Sequence, residues 1–344
     1  MRLLVLGGTR FLGRGVVQAA LAAGDEVTTF TRGTSGEPPP GVEALHDDRT
    51  TAEGLAALAG RDWDAVVDTS GYVPVVVGAV ARLLAGHVGH YVFVSTINVY
   101  PGAAAEPITA DSPVHDCTPD AGRADGEFDP EQYGPFKAGC ERAVDQFFAG
   151  RSTHVRAGLI IGPHDNSGRL PWWIRRIGRG GEVLAPGEPD RPVRFVDARD
   201  LGAWCVHCGR ERVSGAFPAT GPPGQTTMGA LFGACRAATG SDAAFTWVPD
   251  DFLVEHEVGG WTELPLWLPA AQAPAAYDQD TSGAESAGLR CRPVAESVAD
   301  TAAWLSGVDE LPARPSMVSP AGIAPEREKE LLAAWHTRQA GHAR

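Results

Sequence analysis

Apolar residues along this chain fall into short continuous runs, each followed by a polar turn and a stretch with helical spacing. Leu3 to Leu6 is the first run; GGTRFLG follows, and an apolar-rich segment from Gly15 to Ala23 predicts a helix that Gly24 stops. Glu26 to Thr31 (EVTTFT) alternates and is β-branched, which predicts a strand, and Val42 to Leu45 predicts a third before HDDR. TAEGLAALAG reads as a helix capped by Thr50 or Thr51. DWDAVVDTSG then predicts a buried strand, Val75 to Leu84 a helix and HYVFVST another buried strand. Strand and helix alternate throughout, the pattern of an α/β doubly wound parallel sheet.

The second half is less regular. Pro101 to Asp129 is rich in Pro, Asp, Gly and Ala, and a loop this long inside a compact domain predicts a functional segment such as a lid. A helix over Gln132 to Phe148 follows, with Asp129 and Gln132 placed like a capping box, then a strand over His154 to Ile161. Beyond GPHDNSGRLPWW the elements shorten: a strand at Val193 to Val196, and helices at Ala198 to Cys208 and Met228 to Thr239. A last helix at Pro325 to Gln339 has Glu326, Glu328 and Glu330 near its positive end and Leu331, Leu332 and Trp335 on one stripe. The expected division is a dinucleotide-binding domain over 1–160, its sheet completed by later strands. A smaller C-terminal substrate lobe over 161–318, interleaved with the last sheet elements, and a helical tail over 319–344 complete it.

Composition narrows the classes. At 43% hydrophobic and 21% charged residues, the 344-residue chain is ordinary for a globular protein. Acidic residues (43) outnumber Lys plus Arg (29), and the formal charge of −14 repels phosphate backbones, which argues against nucleic acid as a partner. Six cysteines without framework spacing, a short apolar start (MRLLVLGG) and Arg82 interrupting the richest apolar stretch predict a soluble cytoplasmic protein with no membrane association. Cys205-Val-His207-Cys208 lacks a second cluster, so buried thiols are expected there and no metal.

Gly7, Gly8 and Gly13 stand between the first strand and the first helix, where such glycines give a tight turn, backbone approach to a pyrophosphate and close helix–strand packing. No carboxylate ends the second strand; the residues are Phe30-Thr31-Arg32. Arg10 and Arg32 flanking the adenosine ribose fit a 2′-phosphate, so NADP(H) is expected over NAD(H). Asp48 is a candidate for the adenine amino group or a turn cap. Tyr133 and Lys137 share a helical face at i and i+4, where a Lys⁺ lowers a phenol's cost of ionising. Pro135 between them requires the helix to begin near Gly134 or to kink there. Thr96 ends the fifth strand, at the sheet edge where a hydroxyl can reach a ligand oxygen.

These motifs together resemble the short-chain dehydrogenase/reductase superfamily, in its extended, epimerase/dehydratase-like branch. GGTRFLG (7–13), HDDR (46–49), VFVSTINVY (92–100), YGPFK (133–137), RAGLIIGPHD (156–165), FVDARDLG (195–202) and the late GLRCRPVAESVADTAAWL carry the resemblance across nearly the whole chain. It implies a Rossmann fold and a catalytic set of Thr96, Tyr133 and Lys137. Tyr133 would be the proton donor or acceptor, Thr96 would orient the carbonyl, and Lys137 would hold the nicotinamide ribose. It also implies cofactor contacts from Gly7, Gly8, Thr9, Arg10, Phe11, Leu12, Gly13, Arg32, Asp48, Arg49, Thr69, Ser70, Gly71, Gly158 and Leu159. Arg10 and Ala157 depart from the usual glycine and proline. Ile97-Asn98 replaces the Asp-Glu pair of sugar dehydratases, which removes that chemistry. Asn98, His164, Trp172 and Trp173 are candidate substrate contacts, while Trp261 and Trp267 suit a lid or a lobe core.

The expected activity is NADP(H)-dependent reduction of a ketone, or oxidation of the alcohol, on a small ring-bearing substrate, nucleoside-, sugar- or natural-product-like. A nucleotide-sugar epimerase with tightly bound NAD is the alternative, and a non-catalytic NADP-sensing or RNA-associated scaffold a third. Relatives' habits suggest a homodimer.

Overall fold

The computed structural model describes residues 1–34, 36, 38–101, 107–123, 129–272, 278–311 and 322–342. The chain divides into two units. The first comprises Met1–Ile160, Phe195–Pro223 and Asp278–Arg292, and the second Ile161–Arg194, Gly224–Tyr277 and Pro293–Arg344.

Strands β1 (Arg2–Leu6), β2 (Glu26–Thr31), β3 (Glu43–His46), β4 (Trp63–Asp68), β5 (Val88–Thr96) and β6 (Ser152–Ala157) join the strand Gly215–Ala219 in one sheet of the first unit. Its order is Gly215–Ala219, β6, β5, β4, β1, β2, β3, and every pairing is parallel. Both faces are covered, which is why its strands read as unbroken apolar runs. Leu3 and Val5 point into one core with Val16 of helix α1 (Phe11–Ala22) and with Leu201 and Trp204 of the helix Ala198–Glu211. Leu4 and Leu6 point to the opposite core, against α3 (Pro74–Leu84) and α4 (Tyr133–Phe148), where Val77, Tyr91, Phe93 and Val144 pack. Between β3 and β4, α2 (Ala52–Leu55) is capped by Thr51, whose hydroxyl accepts from Gly54 N at 3.0 Å.

Several boundaries differ from the sequence reading. Helix α1 starts at Phe11 rather than Gly15, because the second half of the glycine segment is already its first turn. The strand expected over His154 to Ile161 is β6 plus a separate Ile160–Ile161. The Val193 to Val196 strand divides likewise into Pro192–Val193 and Val196–Asp197. No capping box forms at α4: Asp129 Oδ1 accepts from Glu131 N at 2.9 Å, because four residues before the helix the carboxylate meets that nearer N–H first. Of the expected lid, residues 102–106 and 124–128 lie outside the described residues, but 107–123 is pinned to the first unit. His115 N donates to Val99 O at 2.8 Å, Ile108 bridges Gln279, and Arg142 donates to the carbonyls of His115 and Cys117.

In the second unit, the strands Glu182–Pro186 and Ala244–Val248 pair in parallel, and Trp173, Phe232 and Trp267 are fully buried. The last helix, Pro325–His342, is not a free tail. Glu328 is buried, accepts from Arg176 Nε at 2.7–2.9 Å and from Leu184 N at 3.1 Å, and so belongs to this unit's interior. Among the described residues no helix is long and apolar enough to cross a membrane.

Candidate active site

Strand order runs outward in opposite directions from β1 and β4, so their carboxyl ends flank the crevice where open α/β sheets take ligands. Gly7 and Gly8 follow β1 with φ of +106° and +112°, a region that side chains avoid. A Cβ at Gly7 would collide with Thr69 Oγ1; one at Gly8 would lie 2.8 Å from Thr29 Cγ2, and one at Gly13 2.6 Å from Gly8 N. Helix α1 has no side-chain cap and no acidic residue in its first turn, which leaves its amides and positive dipole end for an anion. Residues 7–13, with Thr9, Arg10, Phe11 and Leu12 in the turn and first helical positions, therefore fit a dinucleotide pyrophosphate.

Arg32 is exposed at the end of β2. Asp48 serves as a turn cap: its Oδ1 accepts from Thr50 N at 2.9 Å and from the Thr50 hydroxyl at 2.8 Å. Those bonds, the backbone one first, hold its carboxyl below the ordinary range, and the charge of Arg32 adds to them. Arg49 spends both terminal nitrogens within the protein. Nη1 donates to Asp68 Oδ1 at 2.8 Å and Ser70 Oγ at 3.0 Å, and Nη2 to Asp68 Oδ2 at 2.7 Å. Asp68 is fully buried and also accepts from Ser70 N and from the Tyr91 hydroxyl at 2.9 Å. Burial pushes its carboxyl up, but the Arg49 charge and these donors outweigh it and hold the group below the carboxylate range. Arg49 thus ties the β3–α2 loop to the end of β4, and its stem lines a groove of about 700 Å³ with Thr51, Leu55, Val76 and Ala79. Expected as a direct cofactor contact, it is first of all the clasp of that loop.

Thr96 ends β5 and enters the 3₁₀ turn Ile97–Val99. Its Oγ1 accepts from Asn98 N at 3.2 Å, which leaves the hydroxyl proton to donate elsewhere, and Asn98 itself is exposed. A Cβ at Gly134 would collide with Asn98 O, so the glycine is what lets the start of α4 lie against this turn, with Tyr133 at its first position. Pro135 falls in the first turn, where no intrahelical N–H bond is lost, and no kink is needed. One turn on, Lys137 is 3% exposed and donates to Gly71 O at 2.8 Å and Val94 O at 2.6 Å. Burial pushes its ammonium pKa down. Lys137 and Lys329 are the chain's two lysines; all its other Lys and Arg positions are arginine.

The face continues to Glu141, which the sequence reading missed although 133, 137 and 141 share its spacing. Buried Glu141 accepts from Arg156 Nη2 at 2.8 Å, and Arg156 Nη1 donates to Tyr100 Oη and Ala110 O, each at 2.8 Å. This cluster locks α4 to β6 and to the segment after Thr96. Thr69 donates to Leu6 O at 3.0 Å beside the glycine turn, and Gly71 carries the carbonyl that holds Lys137. Gly158 N donates to Ala219 O at 3.0 Å, and Leu159 O accepts from Val196 N at 2.9 Å.

The second unit holds the other candidates. His164 is a turn residue with φ of +66°, its ring 5.3 Å from that of Trp304. Trp173 is core rather than a ligand contact: it is fully buried, 4.4 Å from Phe232. Adjacent helical positions point to different sides, and its half-buried neighbour Trp172 lies edge-on to it and against Gly322. Trp267 is also core, its Nε1 donating to Asp250 Oδ1 at 2.9 Å, while Trp261 is half-buried beneath Arg169. Cys205 and Cys208 are buried in the first unit, with Cys208 pushed up to about 12 by burial.

A doubly wound parallel sheet with a glycine turn at its switch point, and Thr96, Tyr133 and Lys137 about the end of β5, defines a dinucleotide-binding α/β protein of the extended short-chain dehydrogenase/reductase type. The model of the NAD dependent epimerase/dehydratase family matches residues 3–217, and the chain belongs to that family. No curated protein sequence matches it. Among solved structures it is similar to the Bordetella bronchiseptica enzyme WbmH in complex with NAD⁺, at 17% identity and a TM-score of 0.66 over 90% of this chain and 99% of that one. It is similar also to a UDP-glucose 4-epimerase from Thermotoga maritima with UDP-glucose (18%, TM-score 0.65, 90% and 100%). A UDP-glucuronic acid 4-epimerase from Bacillus cereus in complex with NAD gives 14%, a TM-score of 0.64, and 92% and 100%. At these identities the likeness is one of fold.

Proposed function

We propose that this protein is an NAD(H)-dependent enzyme that inverts a carbinol centre of a nucleotide-sugar-like substrate by oxidising and re-reducing it. The observation that carries this reading is the Thr96, Tyr133 and Lys137 set beside a glycine cradle, with Ile97 and Asn98 where a dehydratase would need carboxylates. Similar folds solved with NAD and with UDP-glucose support it. This places the epimerase above the ketone reductase expected from the sequence.

Gly7 to Gly13 and the amides of α1 would hold the cofactor's pyrophosphate, and Lys137 its nicotinamide ribose. When bound, the nicotinamide supplies a hydride acceptor and donor. Tyr133 takes the substrate hydroxyl proton and later returns it, and the free proton of Thr96 Oγ1 hydrogen-bonds the same oxygen. Lys137, one turn along, favours the phenolate by its charge. Purified protein incubated with a UDP-hexose is expected to yield the C4 epimer by proton NMR, with NAD recovered from the denatured protein and no net absorbance change at the nicotinamide band. Net consumption of added NAD(P)H with a ketone, and no epimer, would overturn the reading.

One observation supports NADP(H): β2 ends at Thr31 and Arg32, not a carboxylate, follows it, and the exposed Arg32 acts electrostatically on Asp48. If Arg32 meets a 2′-phosphate, Arg32→Ala lowers the NADPH-to-NADH affinity ratio by about tenfold or more, since a charge-assisted bond is worth roughly 1.5–3 kcal/mol. Calorimetric titration of both proteins with both cofactors checks this, and an unchanged ratio removes the arginine from cofactor choice.

A further inference from the structure

Lys137 has an electrostatic need that its hydrogen bonds do not meet. An ammonium withdrawn from water requires a counter-ion, oriented dipoles or aromatic faces to replace its hydration. The two hydrogen bonds of Lys137 go to neutral carbonyls, those of Gly71 and Val94. The carboxylates nearest in effect, Asp68 and Glu141, act on it through space, and each is already paired, Asp68 with Arg49 and Glu141 with Arg156.

Two aromatic rings stand where a counter-ion would. The Lys137 Nζ lies 4.4 Å from the ring centroid of Phe93 and 5.2 Å from that of Tyr72, both inside the roughly 6 Å reach of a cation–π contact. Phe93 belongs to β5 and is fully buried. Tyr72 is half-buried in the loop after β4, next to the carbonyl that accepts from the lysine. A Cβ at Gly71 would come within 2.7 Å of the Phe93 ring and 2.8 Å of Val77, so the glycine lets the loop close on the ammonium.

We infer that Tyr72 and Phe93 form an aromatic box around the Lys137 ammonium, and that Tyr72 is thereby a positioning residue of the Tyr133–Lys137 acid–base pair. The inference rests on the reading of Tyr133 and Lys137 as that pair. Burial is the strongest influence on Lys137 and drives its proton off; the charges of Asp68 and Glu141 oppose this, and Tyr133 stands one turn back on α4. Removing the Tyr72 ring takes away one of the two π faces. Lys137 then loses its proton more easily, and the charge that favours the Tyr133 phenolate weakens.

The arginine-rich composition makes the test direct. In protein labelled with ¹³C at lysine Cε only Lys137 and Lys329 give signals, and Lys329→Arg assigns them. In Tyr72→Leu and Tyr72→Met the Lys137 resonance is expected to titrate about one pH unit lower than in the parent, a tenfold change in its ionisation constant, and to lose part of its ring-current shift. Tyr72→Phe keeps the ring and is expected to titrate with the parent. The kcat limb assigned to Tyr133 moves to higher pH in the Leu and Met variants alone. Leu and Met variants that titrate with the parent overturn the box. A Phe variant that shifts as far as Leu does too, since the hydroxyl and not the ring would then be the active part. Turnover retained in Tyr133→Phe would sink the acid–base reading, while the lysine titration still decides the box on its own.

Discussion

Replacing Lys137 with methionine is expected to lower turnover by about 10²–10⁴-fold, the range of positioned acid–base chemistry, without unfolding the protein. Methionine matches the lysine stem in length and removes the penalty of a buried ammonium that has no directly bonded carboxylate. The Gly71 and Val94 carbonyls lose a donor, at about 1–3 kcal/mol, which offsets much of that gain. Stability should therefore stay within about 1–2 kcal/mol of the parent while catalysis collapses. The sign with pH follows from burial. Lys137 in the folded chain gives up its proton below the unfolded lysine value, so above that lowered pKa the unfolded chain binds more protons and the parent gains stability as pH rises. Any advantage of the methionine variant is thus greatest near neutrality and fades in alkali. Initial rates beside urea denaturation at neutral and alkaline pH check both parts. Activity within about threefold of the parent would remove the lysine from the chemistry.

The second large effect is on stability. Arg49→Met leaves the Asp68 carboxylate fully buried without its cation, and breaking such a pair costs about 3–5 kcal/mol. In the parent, the depressed Asp68 pKa contributes stability above the unfolded aspartate value, and this is lost as pH falls through the folded pKa. In the variant burial acts without the arginine, the Asp68 pKa rises above the unfolded value, and protonation relieves the strain. Urea denaturation of both proteins should show the gap between them widest at neutral pH and narrowing towards about pH 5. A gap that is constant across that range would mean that packing, not charge, is the cause.

The sheet and the glycine turn are legible in the sequence because a parallel strand covered on both faces leaves its mark locally. Leu3 to Leu6 in β1 and Ala65 to Val67 in β4 are unbroken apolar runs, and the polar or glycine residues that bound them hold them to the length of a strand. Thr96, Tyr133 and Lys137 are legible for a similar reason, since each ends a strand or shares one helical face. What escapes the sequence is long-range. Arg49 follows β3 and meets Asp68 at the end of β4, although β1 and β2 lie between those strands in the sheet. Tyr72 meets Lys137 only because the loop after β4 and helix α4 converge. Arg156 and Glu141 likewise bring a strand residue to a helix residue. Trp173 gives no local sign of its core role, because an aromatic beside a long turn looks the same whether it faces a ligand or the interior.

The position of Gly215–Ala219 in the sheet has a consequence for how the protein is made. It pairs with β6, yet about 60 residues separate the two strands. At a synthesis rate of ~5–20 residues per second, β6 leaves the ribosome roughly 3–12 seconds before its neighbour exists. For that interval β6, which the finished sheet covers with Gly215–Ala219, is an open strand edge, the feature that invites pairing with other chains. The sheet is completed only after Ile161–Arg194, a piece of the second unit, has been made. A chain stalled in that window would present the cell with an unfinished sheet.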